Sequence, residues 1–462
     1  MTDTLNYITS DLLDRYDIKG PRYTSYPTAV EFSNRFKTED AQNSLIKADS
    51  KTDTPFSVYL HIPFCSRRCH FCGCTTFTGK TRRDSDRYVH TVFKEIDLIK
   101  KSLKTRSSAA QIHLGGGTPT FLTDTQLENL TVKLKDSFKT DEDTEISIEV
   151  NPAVTTLHKI DKLYGLGFNR ISFGVQDLNS DVLDKIGRPQ KKESVISFVT
   201  HARQTGFRSV NLDLIYGLPG QTVAGFDKTL DEILTISPDR VALYSFAYLP
   251  ELLSNQKNIN AFDLPVRDEK FAIFANSFKR FLKSGYVQIG MDHFAKKNDE
   301  LAVAQKEGKL HRNFMGYTVS SHRDMLGIGA SSISYMGDAF FQNSKDLNNY
   351  EELVNRGTLP VIKGYKLNFD DRVRQYVIGE LMCNFKVDFL RVNMLFDINF
   401  SDYFKKELTA LTLQQKDEYP FTEISNDRLL ATLTGKIFIR NICMVFDSYR
   451  DNNSKNNFSR TV

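Results

Sequence analysis

A strand-length apolar segment followed by a helix-length amphipathic segment recurs six times in this sequence, beginning at residue 56. Regular alternation of strands and helices predicts a parallel sheet covered by helices. Six units favour a partial (β/α)6 barrel, a TIM-like α/β fold, over a closed barrel of eight strands. The predicted strands cover residues 56–62, 110–114, 144–150, 170–175, 209–216 and 240–247, and a segment at 286–291 extends the sheet edge. The predicted helices cover residues 87–103, 125–138, 154–166, 193–205 and 223–236.

Apolar and polar residues alternate within three of these strands. In the strand at 144–150, apolar residues alternate with Ser147 and Glu149. Because successive side chains of a strand point to opposite faces, one face is expected to pack on the helices and the other to line the barrel lumen. The same reasoning places Gln176 and Asp213 in the lumen, near the carboxyl ends of their strands, where barrel enzymes keep their sites.

Four of the six cysteines lie within ten residues, directly after the first strand. Cys65, Cys69 and Cys72 have the spacing Cys-x3-Cys-x2-Cys, and Cys74 follows two positions later. Disulfides are disfavoured by this close spacing and by a polar N-terminal segment that does not resemble a signal peptide. A four-cysteine zinc site usually uses two separated pairs, whereas iron–sulfur clusters are held by closely spaced thiolates. The spacing therefore favours a cluster held by three cysteines, with one iron open to a ligand.

A run of three glycines, Gly115-Gly116-Gly117, follows the second predicted strand and precedes Thr118. One interpretation is a plain tight turn. The other is an edge without side chains, where a small zwitterion such as an amino acid group approaches the backbone. A phosphate-binding P-loop is excluded because no Gly-Lys-[Ser/Thr] follows.

Three charged residues, Glu149, Arg188 and Asp213, also have two interpretations. They are either ordinary ion pairs of the barrel or polar contacts to a nucleoside cofactor, for which Tyr59 and Phe71 supply apolar walls. The histidines at positions 61 and 113 are expected to be structural rather than metal ligands.

The charge balance excludes a dedicated nucleic-acid binder. The 61 basic and 57 acidic residues give a formal net charge of only +4, without the concentrated basic face that such proteins need. No apolar segment reaches the roughly 20 residues of a membrane span. We expect a cytoplasmic protein.

Two regions flank the predicted barrel, which we assign to residues 51–335. Residues 1–50 contain the extended segment 20–28, bracketed by prolines, which is either a linker or a strap over the site. Residues 336–462 are predicted to be mainly helical, with a final helix at 435–449 and a small hairpin at 421–434 that together resemble a winged helix. The charge pattern does not favour DNA binding there.

The cysteine segment Cys-x3-Cys-x-Phe-Cys resembles the signature of the radical S-adenosylmethionine (SAM) superfamily. Together with Gly73-Cys74 and segments 20–28, 115–120, 148–152, 173–176, 213–217, 290–294 and 441–444, it resembles the oxygen-independent coproporphyrinogen III oxidases (dehydrogenases). This resemblance covers nearly the whole chain. It implies a partial radical SAM barrel with an N-terminal strap and a mainly helical C-terminal domain.

The resemblance also implies cofactors and the residues that hold them. Cys65, Cys69 and Cys72 match the ligands of a [4Fe–4S] cluster, and Cys74 matches a cysteine needed for activity without binding the cluster. Two molecules of S-adenosyl-L-methionine are expected. The positions that match SAM contacts are Tyr59, Phe71, Gly116, Gly117, Thr118, Glu149, Gln176, Arg188, Asp213, Ala247 and Ile333.

The implied activity is the oxidative decarboxylation of two propionates of coproporphyrinogen III to vinyl groups, through a 5′-deoxyadenosyl radical, which yields protoporphyrinogen IX for haem (porphyrin) biosynthesis. The implied partners are this tetrapyrrole and an electron donor such as flavodoxin or ferredoxin, and the implied enzyme is a monomer without nucleic acid. Arg22, Tyr26, His311 and Arg312 are candidates for holding propionates, although ordinary loop contacts explain them equally well. The alternatives are a haem chaperone on the same barrel or another tetrapyrrole-acting radical SAM enzyme.

Overall fold

Twelve strands form one continuous sheet in the computed structural model, which describes residues 8–321, 323–415, 418–450 and 458–461. The six predicted strands lie side by side in sequence order and are parallel throughout. They are β1 (Phe56–Ile62), β2 (Ala109–Gly116), β3 (Glu145–Val150), β4 (Arg170–Gln176), β5 (Ser209–Tyr216) and β6 (Arg240–Ser245). Their order and direction confirm the predicted (β/α)6 arrangement.

Both edges of this parallel core are extended. Beyond β6 lie the antiparallel strands β8 (His293–Lys296) and β7 (Tyr286–Ile289). Beyond β1 lies a seventh parallel strand, β11 (Met325–Ile328), followed by the antiparallel strands β12 (Ile333–Met336), β13 (Ala339–Asn343) and β14 (Val361–Lys366). A separate hairpin is formed by β9 (His311–Asn313) and β10 (Gly316–Thr318).

The sequence patterns did not predict the strands from β9 to β14. Most of them are only three to five residues long, and every residue of β11 and β13 is buried. A strand buried on both faces shows no apolar–polar alternation, so the period of two is absent there.

Helices cover the outer face of the parallel strands. They are α3 (Arg82–Ser102), α4 (Asp124–Ser137), α5 (Leu157–Gly165), α6 (Ser180–Lys185), α7 (Lys192–Thr205), α8 (Val223–Ile236) and α9 (Arg267–Lys283). Helix α3 begins five residues before its predicted start, because Thr81 and Asp84 form a capping box at its N-terminus. The remaining helices before residue 369 are α1 (Ser10–Tyr16), α2 (Thr38–Asp49), α10 (Glu300–Glu307) and α11 (Leu347–Asn355).

The C-terminal region combines helices with a small sheet. The helices are α12 (Phe369–Asn384), α13 (Phe389–Phe396), α14 (Phe400–Tyr403), α15 (Lys405–Gln414), α16 (Leu433–Ile437) and α17 (Ile439–Val445). The predicted hairpin, β16 (Thr422–Ile424) and β17 (Arg428–Ala431), gains a third strand, β15 (Lys386–Asp388). The single helix predicted at 435–449 is wrong in extent. The chain leaves helical geometry at the buried Phe438, whose ring stacks on Phe421 with centroids 5.0 Å apart.

The segment 20–28 packs between the sheet edge and the C-terminal helices. Arg22 forms an ion pair with Asp292 beside β8, and the hydroxyl of Tyr23 donates to Asp447 over 2.9 Å. The side chain of Gln375 in α12 donates to the carbonyl of Tyr26 over 2.9 Å. The segment is therefore held on both sides. Among the described residues, no helix has the length and apolar character needed to cross a bilayer.

Candidate active site

The cysteine loop lies at the carboxyl end of β1 and is fastened at its base. The backbone N–H of Cys65 donates to the carbonyl of Phe77 over 3.1 Å, and that of Phe77 donates to the carbonyl of Pro63 over 2.7 Å. All four cysteines of the loop are free thiols, and Cys74 is the most exposed of them. Because these two backbone bonds close the loop, Cys65 to Cys74 are held at the edge where the parallel strands end.

Two side chains from the segment after β6 brace this loop. The amide of Asn255 donates to the carbonyls of Cys69, His70 and Cys72 over 3.1, 2.9 and 3.0 Å. The amide of Gln256 donates to the carbonyls of Phe71 and Ala247 over 3.2 and 3.0 Å. Sequence reasoning missed both residues, because a side chain that bonds to backbone carbonyls belongs to no motif. The available signal was position alone, since their segment follows a strand that ends at the same edge.

Cations lie against the predicted cluster ligands. Arg188 donates from Nη1 to Sγ of Cys69 over 3.3 Å. The pKa of the Cys72 thiol is lowered to about 6 by a hydrogen bond from Cys74 and by the charges of Arg68 and Arg188. Burial raises the pKa of Cys65 to about 11, although its sulfur lies 3.4 Å from the hydroxyl of Thr118. The loop therefore carries one readily ionised thiol and positive charge to stabilise others, which suits an anionic thiolate cluster.

The three closely spaced thiols of the loop suit an iron–sulfur cluster. Nowhere in the described chain do three or more His, Cys, Asp or Glu side chains converge on one metal position. Thiolates that bind three different irons of a cluster do not need to converge. The buried Nε atoms of Arg68 and Arg188 have no hydrogen-bond partner among the described residues, so each has a free donor directed into the protein beside the loop.

The run of glycines 115–117 at the end of β2, which we call the glycine edge, contacts the cysteine loop. The contact leaves no room for a side chain on Gly117. A Cβ atom on Gly117 would lie 2.8 Å from the carbonyl oxygen of Phe64 and 3.1 Å from Sγ of Cys65. The N–H groups of Gly117 and Thr118 donate to the carbonyls of Ile62 and Phe64 over 2.8 and 2.9 Å. The run is therefore more than a plain tight turn, because it joins β2 to the base of the cysteine loop.

Glu149 projects from β3 towards this glycine edge. Its carboxylate accepts the N–H of Gly116 over 3.0 Å and lies 3.3 Å from Nε2 of His113. Burial acts to raise the pKa of Glu149, but the hydrogen bonds from His113 and Gly116 outweigh it and lower the pKa. The carboxylate is thus held as an anion at the carboxyl end of the barrel, where it can accept further donors.

Asp213 faces the same lumen from β5. It accepts hydrogen bonds from Asn211 over 2.8 Å and Ser172 over 3.2 Å. Burial, followed by the charge of Glu149, raises its pKa to about 6. Both carboxylates line one cavity of ≈ 840 Å³, as the alternation within β3 and β5 predicts.

Gln176 does not line that cavity. The pairing of β4 with β5 shifts register between Gly174 and Gln176, and Gln176 has a left-handed backbone with φ 69°. A Cβ atom on Gly174 would lie 2.9 Å from Nε2 of Gln176 and 3.0 Å from Nη2 of Arg188. The bulge therefore places the side chain of Gln176 over Gly174 and beside Arg188, at the carboxyl end of β4.

The remaining predicted residues surround this centre. The hydroxyl of Tyr59 lies 3.0 Å from Nδ1 of His61, whose Nε2 lies 2.9 Å from the carbonyl of Thr75. The carbonyls of Phe71 and Ala247 both accept the amide of Gln256. Ile333 is connected to Tyr59 only indirectly. Its backbone packs on Gly327, which pairs with Tyr59 in the sheet.

A second cavity, of ≈ 830 Å³, adjoins the lumen. It is bounded by the segment 20–28, the β9–β10 hairpin and α12, and it shares Asn313 and Thr318 with the lumen cavity. Of the four propionate candidates, Tyr26, His311 and Arg312 line it. Arg22 does not, since it is paired with Asp292.

Comparison with known proteins shows the family to which the chain belongs. The family model of the Radical SAM superfamily matches residues 59–233. The oxygen-independent coproporphyrinogen III oxidases of Synechocystis sp. and Escherichia coli are 43% and 40% identical to the chain, with 98% of each chain covered. The solved structure of coproporphyrinogen III oxidase from Escherichia coli, a radical SAM enzyme, superposes with a TM-score of 0.89 at 40% identity, covering 93% of this chain and 97% of that one. The chain belongs to the oxygen-independent coproporphyrinogen III oxidase family of radical SAM enzymes.

Proposed function

We propose that this protein converts two propionate side chains of coproporphyrinogen III to vinyl groups without oxygen, giving protoporphyrinogen IX in haem biosynthesis. The observation that carries the proposal is the cysteine loop held against the glycine edge and the carboxylate-lined lumen, in a chain that matches its relatives over 98% of its length. In this reaction each propionate loses one hydrogen atom, one electron and carbon dioxide.

The cofactors are a [4Fe–4S] cluster and S-adenosylmethionine, which when bound supply the carbon radical that begins the hydrogen abstraction. We assign Cys65, Cys69 and Cys72 as the cluster ligands, and Cys74 as a thiol required for activity that does not bind the cluster. Two molecules of S-adenosylmethionine are assigned to contacts with Tyr59, Phe71, Gly116, Gly117, Thr118, Glu149, Gln176, Arg188, Asp213, Ala247 and Ile333. No general base is required for the hydrogen abstraction, so the site needs no nucleophile–base pair.

The contacts of Glu149 support its assignment to the amino-acid end of the cofactor. Its carboxylate is kept ionised by Gly116 and His113, and it faces the edge where glycines leave the backbone accessible. An anionic acceptor of this kind binds an ammonium group through charge-assisted hydrogen bonds. Asp213, which lines the same cavity, is assigned to hydroxyl groups of the cofactor.

We assign the tetrapyrrole to the second cavity, between the segment 20–28, the β9–β10 hairpin and α12. Its walls include the aromatic side chains of Tyr335 and Phe340 and the guanidinium groups of Arg312 and Arg323. Aromatic walls suit pyrrole rings, and arginines suit carboxylates. Enclosure matters because a carbon radical attacks most nearby groups, so water and other reactants must be excluded.

The test is anaerobic turnover with cluster-loaded protein, S-adenosylmethionine, a chemical reductant and coproporphyrinogen III. Protoporphyrinogen IX is the expected product, and its absence with an intact cluster would overturn the proposal. Tight haem binding without vinyl formation would favour the alternative of a haem chaperone.

The role of Cys74 is tested with Cys74→Ser in the same assay. Loss of product with retained iron and sulfide is expected, and normal turnover would contradict the role. Cys443→Ser is the matched control, since that buried thiol lies in α17 at 4.0 Å from the carbonyl of Ile378.

A further inference from the structure

The segment that carries the cluster ligands is strongly basic. Residues 63–83 contain five lysines or arginines and no aspartate or glutamate, although basic and acidic residues are nearly balanced in the whole chain. We call these five the basic loop surface; they are Arg67, Arg68, Lys80, Arg82 and Arg83. Arg67, Arg82 and Arg83 are exposed, and the other two are partly exposed.

None of these five cations forms an ion pair within the described part of the chain. The carboxylates that follow in sequence are engaged elsewhere. Asp84 accepts hydrogen bonds from Thr81 and pairs with Arg87, while Asp86 accepts the amide of Gln126 over 2.6 Å. The positive charge of the surface is therefore not neutralised by ion pairs, and of these carboxylates Asp84 interacts with Lys80 only through longer-range charge.

The basic loop surface lies close to the predicted cluster. Arg67 and Arg68 lie between the first two ligands, Cys65 and Cys69. Lys80 follows Phe77, whose carbonyl accepts the N–H of Cys65, by three residues. A segment of that length reaches at most about 11 Å. The charges of Arg67, Arg68 and Lys80 therefore lie close to the predicted cluster ligands.

Exposed apolar side chains lie in the segment that braces the cysteine loop. Phe262 is 97% exposed, Val266 71% and Leu252 52%, which is unusual for large apolar side chains. Their segment is the one that braces the cysteine loop through Asn255. It is also joined to it through Lys185, which pairs with Asp263 and whose carbonyl lies 3.1 Å from Nδ1 of His70. Apolar side chains beside unpaired charges are typical of protein docking sites.

We propose that the basic loop surface, with Phe262 beside it, docks an acidic one-electron carrier protein that reduces the cluster. This inference rests on the proposed function, because only a redox centre requires such a partner. The carrier gives one electron and is oxidised by one, the cluster is reduced by one, and no bond forms or breaks. Opposite charge speeds the encounter of the two proteins and orients them.

Charge reversal at Arg82 and Arg83 tests the proposal without unfolding the helix. Both residues lie in the first turn of α3, where a glutamate is more favourable than an arginine because of the helix dipole. The double variant R82E/R83E should therefore unfold at or above the temperature of the unsubstituted protein.

The matched control is K405E/K406E. These two exposed lysines occupy the same first-turn positions of α15 in the C-terminal region, and they form no ion pair with a described residue. The change in net charge is the same, but the cysteine loop is unaffected.

The measurements use cluster-loaded enzyme and a bacterial flavodoxin as the acidic carrier. Binding of oxidised flavodoxin is followed by calorimetry at low and high ionic strength, and cluster reduction by the reduced flavodoxin is followed by stopped-flow absorption. R82E/R83E should weaken binding and slow reduction at low salt by about tenfold or more, and high salt should remove most of this difference. Phe262→Ala should weaken binding at both salt concentrations, because apolar contact is not screened.

Turnover with a small chemical reductant separates this inference from the proposed function. R82E/R83E and its control should both retain that turnover. If R82E/R83E binds flavodoxin as tightly as the control at low salt, the docking proposal is wrong while the proposed function stands. If the unsubstituted enzyme fails with the chemical reductant too, the proposed function fails.

Discussion

The guanidinium of Arg188 donates from Nη1 to the sulfur of Cys69 over 3.3 Å, and its second terminal nitrogen donates to the carbonyl of Gly174. The helix that precedes Arg188 therefore delivers a fixed positive charge to one of the three predicted cluster ligands. Hydrogen bonds to cluster sulfurs and nearby charge are among the factors that set the reduction potential.

Arg188→Gln should lower the reduction potential of the cluster. Reduction adds negative charge, which the guanidinium stabilises, so its removal favours the oxidised form. A loss of about 1.4 kcal/mol of differential stabilisation corresponds to roughly 60 mV for a one-electron couple. The measurement is a potentiometric titration monitored by electron paramagnetic resonance, without S-adenosylmethionine. Arg188→Lys keeps the charge, so its reduction potential should lie between those of the unsubstituted protein and Arg188→Gln. An equal potential in all three proteins would contradict the prediction.

Gly117→Ala should loosen the joint between the glycine edge and the cysteine loop. Its Cβ atom would lie 2.8 Å from the carbonyl oxygen of Phe64 and 3.1 Å from Sγ of Cys65, so the backbone must move. We expect lower iron content after reconstitution and a loss of stability of about 1–3 kcal/mol from overpacking.

The control for this change is Gly165→Ala. That glycine lies in α5 with no atom within 4 Å of the added carbon, so alanine should stabilise by about 0.5–1 kcal/mol. Iron content and the thermal midpoint are measured for both variants. Equal iron content in Gly117→Ala and Gly165→Ala would show that the joint does not matter.

The parallel core of this fold could be predicted because its strands carry a readable period. Residues of β3 and β5 alternate, so Glu149 and Asp213 were assigned correctly to the lumen. The cysteine spacing likewise predicted a loop after β1. By contrast, β11 is buried at every residue, so its sequence has no apolar–polar alternation. The pattern therefore predicts neither the strand nor its position beside β1.

Contacts made by the backbone could not be predicted from residue types. Asn255 and Gln256 act through amide groups that bond to carbonyls of a loop about 185 positions away in sequence. The position of Gln176 depends on a register shift in β4, which a strict period of two does not include. Local pattern predicts which face a residue occupies only where the strand is regular.

Glu149→Gln should weaken binding of S-adenosylmethionine while leaving the cluster intact. The amide cannot accept an ammonium group as an anion does, and one charge-assisted hydrogen bond contributes about 1.5–3 kcal/mol. This corresponds to a rise in Kd of roughly 10- to 100-fold. Calorimetry of the cluster-loaded protein measures the Kd.

Glu145→Gln is the matched control for this variant. Glu145 lies four residues earlier in the same strand, at the opposite end of the barrel, where it pairs with Arg170 at 2.8 Å. Its Kd for S-adenosylmethionine should stay close to that of the unsubstituted protein. A similar rise in both variants would indicate a general effect on β3 rather than a contact of Glu149.

Glu95 should make the stability of the protein fall as the pH rises. This carboxyl is buried in α3 and accepts hydrogen bonds from Tyr350, Gly329 and Asn343. These bonds join α3 to α11, to the residue after β11 and to β13. Burial raises its pKa from 4.5 to about 7 in the folded protein. Between these two values the folded state binds more protons than the unfolded state, so stability declines with increasing pH.

This difference in pKa corresponds to a loss of roughly 3 kcal/mol in the free energy of unfolding between pH 4.5 and pH 7. Glu95→Gln keeps the shape of the side chain but removes the titration, so its stability should fall less over this range than that of the unsubstituted protein. Denaturant unfolding at several pH values measures the difference, with the exposed Glu352→Gln as the control. Parallel pH profiles for Glu95→Gln and Glu352→Gln would mean that the pKa of Glu95 is the same in the folded and unfolded protein, because only a difference in proton binding between the two states gives a slope.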